Sequence, residues 1–249
     1  MFDYRFKFPD PQTNFSFPPN PCPQTVINFN NLTTITGGNV NYLWDFGDLT
    51  TSTLMHPTHS YANPGVYTVS LTATSVKGCD STFTQQITVT LPDADAGQAQ
   101  SICPGGSVTL GGNPTSSTPN VNYSWTPIST LNNPTSANPT ATPSSTTTYT
   151  VVVTDVNGCS QSSSVVITVN PIPVADAGLP QTICDGVSTP IGGSPTGPAG
   201  ASYVWDNPLT LDNINSPNPI ATPTVTTTYT VTVSSGANCS STDQVTISV

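Results

Sequence analysis

The sequence predicts an all-β protein built from tandem β-sandwich domains. Three observations support this: the chain is crowded with Thr, Ser, Asn, Pro and Val, it contains short segments in which apolar residues alternate, and a pattern of about 80 residues recurs along it. Segments 149–153 and 229–233, YTVVV and YTVTV, are rich in Tyr, Thr and Val, as strands are. Such regular clusters distinguish the chain from a disordered Pro- and Ser-rich tract.

Composition and charge exclude several classes of protein. Of 249 residues, 3 are Lys or Arg and 13 are acidic, all of them Asp, so the formal charge is -10. No positive side chain follows Lys77, so we expect no nucleic-acid partner and no attraction to anionic lipid. Without a run of about 18 apolar residues, no membrane insertion is predicted either. The absence of Glu and the scarcity of Lys disfavour long helices.

The internal repeat sets the predicted domain organisation. Trp125 recurs as Trp205 after 80 positions, and Cys103 recurs as Cys184 after 81. The first segment follows the same template, since Cys22 precedes Trp44 by the 22 positions that separate Cys103 from Trp125. We therefore predict a leading strand and linker, 1–12, followed by repeats 1, 2 and 3, residues 13–91, 92–171 and 172–249.

Each repeat has the marks of an immunoglobulin-like β-sandwich. A Trp lies between two Cys, and turn residues separate about seven short strand segments. Short Pro-bearing linkers between the repeats favour a semi-rigid, extended arrangement, so we expect a rod-like array of three sandwiches. The aromatic residues expected in the cores are Trp44, Trp125, Trp205, Tyr67, Tyr149 and Tyr229.

The six cysteines occupy matched positions, two in each repeat. The repeat predicts the disulfides Cys22–Cys79, Cys103–Cys159 and Cys184–Cys239. The competing interpretation, metal binding, is disfavoured because no pair has the spacing of a zinc site. Paired cysteines indicate an oxidising compartment, and hence an extracellular protein.

Three motifs in repeat 1 resemble a known family. YLWDFGD at 42–48, HPTHSY at 56–61 and GVYTV at 65–69 are similar to a PKD domain, and the resemblance covers about residues 13–91. Leu49 departs from the glycine usual in that family. The resemblance implies that Asp45 and Asp48 are turn residues, and that the histidine before Tyr61 is structural.

Repeats 2 and 3 resemble the immunoglobulin-like modules of very large Bacteroidota surface proteins, which include gliding-motility adhesins exported by the type IX secretion system. The resemblance implies a non-catalytic stalk or spacer of a cell-surface adhesin. Its partners would be neighbouring domains or subunits of the same protein, together with surface glycans. Two alternatives stay open: a filament subunit assembled through its N-terminal strand, and an accessory carbohydrate-binding part of a secreted hydrolase.

Candidate sites are few, and no catalytic residues are predicted. Phe2, Tyr4, Phe6 and Phe8 share one face of the leading strand and could pair with a neighbouring subunit. Calcium is the only cofactor considered, because Asp93, Asp95 and Asp176 supply hard oxygen ligands near the linkers. Ser81, in Asp80-Ser81-Thr82, matches a bacterial O-glycosylation pattern.

Overall fold

A computed structural model of the chain describes residues 10–36, 38–236 and 239–249. These residues form three four-stranded sheets and four two-stranded sheets, which confirms the all-β sandwich class. In the same part of the chain, no helix has the length and apolarity needed to cross a membrane. The predicted assembly strand with Phe2, Tyr4, Phe6 and Phe8 lies outside the described residues.

Repeat 1 contains a four-stranded sheet of order β5-β4-β7-β8 and the two-stranded pairs β1-β3 and β2-β6. The long antiparallel hairpin of β7 and β8 runs from Gly65 opposite Val89 to Thr74 opposite Asp80. The strands are β1 (Phe15–Ser16), β2 (Ile27–Asn28), β3 (Asn30–Asn31), β4 (Val40–Asp45), β5 (Thr51–Ser52), β6 (Thr58–His59), β7 (Gly65–Ser75) and β8 (Asp80–Val89).

Repeats 2 and 3 share one topology. Their four-stranded sheets have the orders β11-β13-β14-β9 and β17-β19-β20-β15, and the last strand named in each sheet pairs in parallel with its neighbour. The strands of repeat 2 are β9 (Gln100–Ile102), β10 (Val108–Thr109), β11 (Asn122–Thr126), β12 (Thr140–Ala141), β13 (Thr147–Thr154) and β14 (Ser160–Val169). Those of repeat 3 are β15 (Gln181–Thr182), β16 (Thr189–Pro190), β17 (Ser202–Trp205), β18 (Ile220–Ala221), β19 (Thr227–Ser234) and β20 (Ser240–Ser248), with a 3-10 helix at Pro208–Thr210.

A buried tryptophan lies at the centre of each repeat. Trp44, Trp125 and Trp205 expose at most 1% of their surface. Each indole N–H donates to a backbone carbonyl 3.0 Å away, on Leu54, Ser136 and Ser216 respectively. Both the apolar ring and its one polar atom are therefore satisfied inside the sandwich.

One strand of each repeat lies next to the tryptophan strand in the same sheet, and its period-two alternation supplies further core residues. The buried apolar positions are Val69, Leu71 and Ala73 in β7, Tyr149, Val151 and Val153 in β13, and Tyr229, Val231 and Val233 in β19. Because Leu71 faces Trp44 as Val231 faces Trp205, the counterpart of Tyr149 and Tyr229 is Val69, two residues beyond the Tyr67 expected in the core. Tyr67 is only partly buried and stacks on the buried Tyr61 with ring centroids 4.1 Å apart.

The chain divides into two compact units. The first comprises the residues up to Ala94 with Ser116–Tyr123 and Val152–Ser162, and the second comprises Asp95–Thr115, Ser124–Val151 and Ser163–Val249. Repeat 2 contributes to both units. The division into three domains at 91/92 and 171/172 therefore stays a prediction.

The hydrogen-bonded tryptophan should dominate the stability of its repeat. Replacing Trp125 with Phe leaves the Ser136 carbonyl without its donor and opens a cavity, so we expect a loss of about 2 kcal/mol or more in the free energy of unfolding. Tyr149→Phe is the matched control in the same repeat, because it removes only the hydroxyl contact with Thr130 and should cost about 1 kcal/mol. Equal losses in urea titrations would contradict the central role of the tryptophan.

Candidate functional site at the joints between repeats

An Asp-Ala-Gly turn opens repeats 2 and 3. In repeat 2, Asp95 Oδ1 accepts the Gly97 N–H at 2.8 Å. The backbone carbonyls of Asp95 and Ala96 in turn accept the N–H groups of Gly112 and Gly111 at 3.0 Å. Gly97 has φ +86°, and a Cβ there would lie 2.8 Å from the Gly111 carbonyl oxygen, so only glycine fits.

Repeat 3 makes the same turn with Asp176 and Gly178, whose N–H lies 2.9 Å from Asp176 Oδ1. The recurrence of Asp-Ala-Gly together with Gly-Gly in the sequence thus has a structural cause. The carboxylates of Asp95 and Asp176 act as acceptors for backbone amides.

Asp93 holds the linker after repeat 1. Its carboxylate accepts the backbone N–H groups of Ser117 and Thr118, at 2.9 Å and 3.1 Å, and the hydroxyls of Ser116 and Thr118, both at 2.9 Å. These donors, the Ser117 N–H first, keep the pKa of Asp93 well below its ordinary value. A carboxylate with this many N–H and O–H donors is stabilised as an anion without a cation.

A disulfide joins repeat 1 to repeat 2 within the first compact unit. It links Cys22 to Cys159, with Cα atoms 5.3 Å apart. Next to it, the Thr90 N–H donates to the Pro21 carbonyl at 3.1 Å, and Thr90 Oγ1 lies 4.0 Å from Cys159 Sγ. An open groove of about 550 Å³ runs beside the bond, and residues of both repeats line it.

The second compact unit repeats the arrangement between repeats 2 and 3. Cys103 bonds Cys239, with Cα atoms 5.5 Å apart. Asn170, which follows β14 as Thr90 follows β8, donates its N–H to the Ile102 carbonyl at 2.9 Å, and its own carbonyl lies 3.7 Å from Cys239 Sγ. Both joints therefore use the same three parts: a first cysteine, a linker residue and the second cysteine of the next repeat.

This pairing corrects the one expected from the repeat. Cys22–Cys79, Cys103–Cys159 and Cys184–Cys239 were expected, whereas the bonds are Cys22–Cys159 and Cys103–Cys239, and Cys79 and Cys184 are free thiols. The physical reason is that the first cysteine lies beside the exit of its own repeat, where the chain enters the next one. Disulfides within each repeat and disulfides between consecutive repeats both agree with a period of 80 residues. The period therefore does not distinguish the two pairings.

Repeat 1 has an acid–histidine contact that the sequence did not reveal. Asp48 Oδ2 lies 2.8 Å from His59 Nε2, and the His59 ring stacks on Phe46 with centroids 4.2 Å apart. Burial raises the pKa of Asp48, but hydrogen bonds from Thr50 and His59 outweigh it and bring this pKa below its ordinary value. The prediction that Asp45 and Asp48 are turn residues is confirmed, because they accept the N–H groups of Gly47 and Thr50.

Comparison with known proteins identifies this part of the chain. The PKD domain family model matches residues 9–91. Repeat 1 is a PKD domain. The chain is 44% identical over 70 residues to the pre-pro-metalloprotease PrtV of Vibrio cholerae, which is 28% of this chain and 8% of that protein.

Two further matches are of the same kind. The microbial collagenase of Vibrio alginolyticus is 41% identical over 88 residues, which is 32% of this chain and 11% of the collagenase. The solved PKD1 domain of Vibrio cholerae PrtV is 37% identical, with 32% of this chain and 96% of that domain covered and a TM-score of 0.30. The chain spans about a tenth of the length of these curated relatives.

The remaining predicted site residues are spread over the PKD domain and the linkers. Ser81 is half-buried in β8, where its carbonyl accepts the Thr13 hydroxyl at 2.9 Å. Asp93 is engaged by the loop at 116–118, while Asp95 and Asp176 close their own turns. Among the described residues, no group of three or more His, Cys, Asp or Glu side chains is arranged to hold a metal ion. Calcium binding and glycosylation stay predictions.

The disulfide pairing can be mapped directly. Cleavage before aspartate in unfolded, unreduced protein should join peptide 10–44 to 155–175, and peptide 95–154 to 212–242. Iodoacetamide applied before unfolding should label Cys79 and Cys184 alone, because the other four sulfurs are bonded. A link between peptides 10–44 and 48–79 would instead indicate pairing within repeat 1.

Acid should weaken the Asp93 linkage. Because the folded pKa lies below the unfolded value of about 4, the stabilising effect is complete above that pH and is lost as the pH falls towards the folded pKa. Asp93→Asn should therefore lower the thermal midpoint at pH 7. The difference in thermal midpoint between the variant and the unmodified protein should become smaller as the pH falls from 4 to 2. Asp185→Asn, at another exposed aspartate, is the control. A deficit that is independent of pH would contradict this role of the charge.

Proposed function

We propose that this chain is a non-catalytic extracellular spacer, a segment of the stalk of a bacterial surface adhesin. The observation that carries the proposal is the pair of overlapping disulfides, which link each repeat covalently to the next. Disulfides persist in oxidising surroundings, and this supports a location outside the cell. The PKD domain supports an accessory or structural role, since its relatives contain it as a small part of a much longer chain.

The overlap of the two disulfides gives the chain two covalent routes between Cys22 and Cys239. One route follows the backbone from Cys22 to Cys103 and crosses to Cys239. The other crosses from Cys22 to Cys159 and follows the backbone to Cys239. One backbone break anywhere between Cys22 and Cys239 leaves these two residues connected. A spacer exposed to proteases and to tension gains continuity from this arrangement.

The acid–histidine contact supports a structural role more than catalysis. Asp48 already accepts both the N–H and the hydroxyl of Thr50, and His59 is held by Phe46 on its face. The Tyr61 hydroxyl, which packs beside His59, donates to the Phe46 carbonyl at 2.9 Å, and burial raises its pKa. Asp48, His59 and Tyr61 therefore already have partners within the PKD domain, and their contacts close its turn.

Continuity after a backbone break is the test of the spacer proposal. A protease site inserted after Asn170 should be cut without separating the two fragments on a non-reducing gel, because Cys103–Cys239 bridges the break. Adding dithiothreitol should release both fragments. Cys103→Ser is the matched control and should release the C-terminal fragment without reductant. Separation of the two fragments without reductant in the chain that keeps Cys103 would contradict the proposal.

A second candidate function is supported by the PKD relatives. Because these are named as a metalloprotease and a collagenase, the chain could serve as the accessory part of a secreted hydrolase, with an insoluble protein or a glycan as its partner. Co-sedimentation with collagen fibrils separates the two candidates. Saturable binding to the fibrils that requires the PKD domain favours the accessory role. If no such binding is found, the accessory role loses this support.

A further inference from the structure

Two of the six cysteines, all of which lie in the described part of the chain, have no disulfide partner. They are Cys79, the second cysteine of repeat 1, and Cys184, the first cysteine of repeat 3. Each disulfide that does form joins the first cysteine of one repeat to the second cysteine of the repeat after it. The two free thiols are thus the two complementary halves of one more bond of the same kind.

Cys79 has the backbone setting of the second cysteines that are bonded. In each repeat, the residue four positions before the second cysteine donates its N–H to the cysteine carbonyl. The distances are 2.8 Å from Ser75 to Cys79, 2.9 Å from Asp155 to Cys159, and 2.8 Å from Ser235 to Cys239. The same hairpin closure therefore presents all three sulfurs.

Cys184 likewise has the setting of the first cysteines. The N–H three residues later donates to the cysteine carbonyl, from Gly106 to Cys103 at 2.9 Å and from Val187 to Cys184 at 3.1 Å. The corresponding contact from Thr25 to Cys22 is 3.4 Å. The turn that carries a bonded sulfur in repeats 1 and 2 is thus already formed around the free thiol in repeat 3.

Burial separates the free thiols from their bonded counterparts. Cys159 and Cys239 are each 1% exposed, whereas Cys79 is only half-buried. Among the first cysteines, Cys22 and Cys103 are half-buried, whereas Cys184 is exposed. In both classes the cysteine without a partner is the more accessible one. Both free thiols are therefore accessible to a cysteine of another chain.

We propose that Cys184 of one copy of this chain forms a disulfide with Cys79 of a second copy, so that copies join head to tail. The two thiols lose two protons and two electrons as the S–S bond forms. A small-molecule disulfide accepts the electrons and leaves as two thiols. The inference goes beyond the proposed function, because a spacer within one polypeptide needs no second copy.

A second copy is the occupant that the chain itself specifies. One copy carries one free thiol of each class, so every bond leaves one Cys79 and one Cys184 available at the ends of the product. The contact is heterologous, and repetition of such a contact gives an open chain of copies. The bond would extend the double covalent route, since it repeats the connection that Cys22–Cys159 and Cys103–Cys239 already make.

Complementary variants test the proposal in the full chain. Cys79→Ser keeps only the Cys184 thiol, and Cys184→Ser keeps only the Cys79 thiol. Under a glutathione redox buffer, the unmodified chain should give a ladder of disulfide-linked multimers on a non-reducing gel. Each variant alone should stay monomeric, and a mixture of the two, distinguished by a size tag on one, should give a mixed dimer and nothing larger. The Cys79→Ser/Cys184→Ser double variant controls for folding and should keep the unmodified melting midpoint.

Mass spectrometry then identifies the bond. Cleavage before aspartate should link peptide 48–79 to peptide 176–184, and the link should come from the multimer band. Three results would overturn the proposal: the same link in the monomer band, dimers of either variant alone as abundant as the mixed dimer, or no multimer while both thiols remain reactive to iodoacetamide. None of these three results affects the outcome of the protease cut after Asn170. The spacer proposal is therefore tested separately.

Discussion

The fold depends on one buried hydrogen bond that is made once in every repeat. The indole N–H of Trp44, Trp125 or Trp205 donates to the carbonyl of a residue ten or eleven positions later. That bond ties the strand carrying the tryptophan to the loop that follows it, and the buried ring fills the core. Domains of about 80 residues have thin cores, so one large side chain with its polar atom satisfied supplies much of the packing.

The aspartates show how a chain almost without positive side chains stabilises its charge. Nine aspartates follow Lys77, all of them described, and seven accept a hydrogen bond from a backbone N–H: Asp93, Asp95, Asp155, Asp176, Asp206, Asp212 and Asp243. Backbone amides thus take the place that Lys and Arg have in most proteins. The charge of -10 is in large part a structural feature of turns and linkers.

The strands, the core tryptophans and the turn of repeat 1 could be predicted because they depend on interactions that are local in sequence. Period-two alternation located β13 and β19, and the recurring tryptophans identified the core. The family motif anticipated the turn at Asp45 and Asp48. The contacts that were missed join distant segments: Asp93 with the loop at 116–118, and Asp48 with His59. Tyr67 and Tyr149 share the sequence Tyr-Thr-Val, yet the strand register places Val69 at the position of Tyr149.

The cysteine pairing was missed for a different reason, and that reason bears on function. A repeated sequence gives identical local environments, so it carries no information on whether a bond stays within a repeat or crosses to the next. Each bond closes a loop of 136 or 137 residues, which in the chain-entropy estimate is worth about 5 kcal/mol. The loops overlap between Cys103 and Cys159, so the second bond forms in an already shortened chain and the two contributions are not additive. Offset pairing therefore adds less stability to each repeat than three independent bonds would, and it adds instead a covalent connection between neighbours, which is the property that a spacer requires.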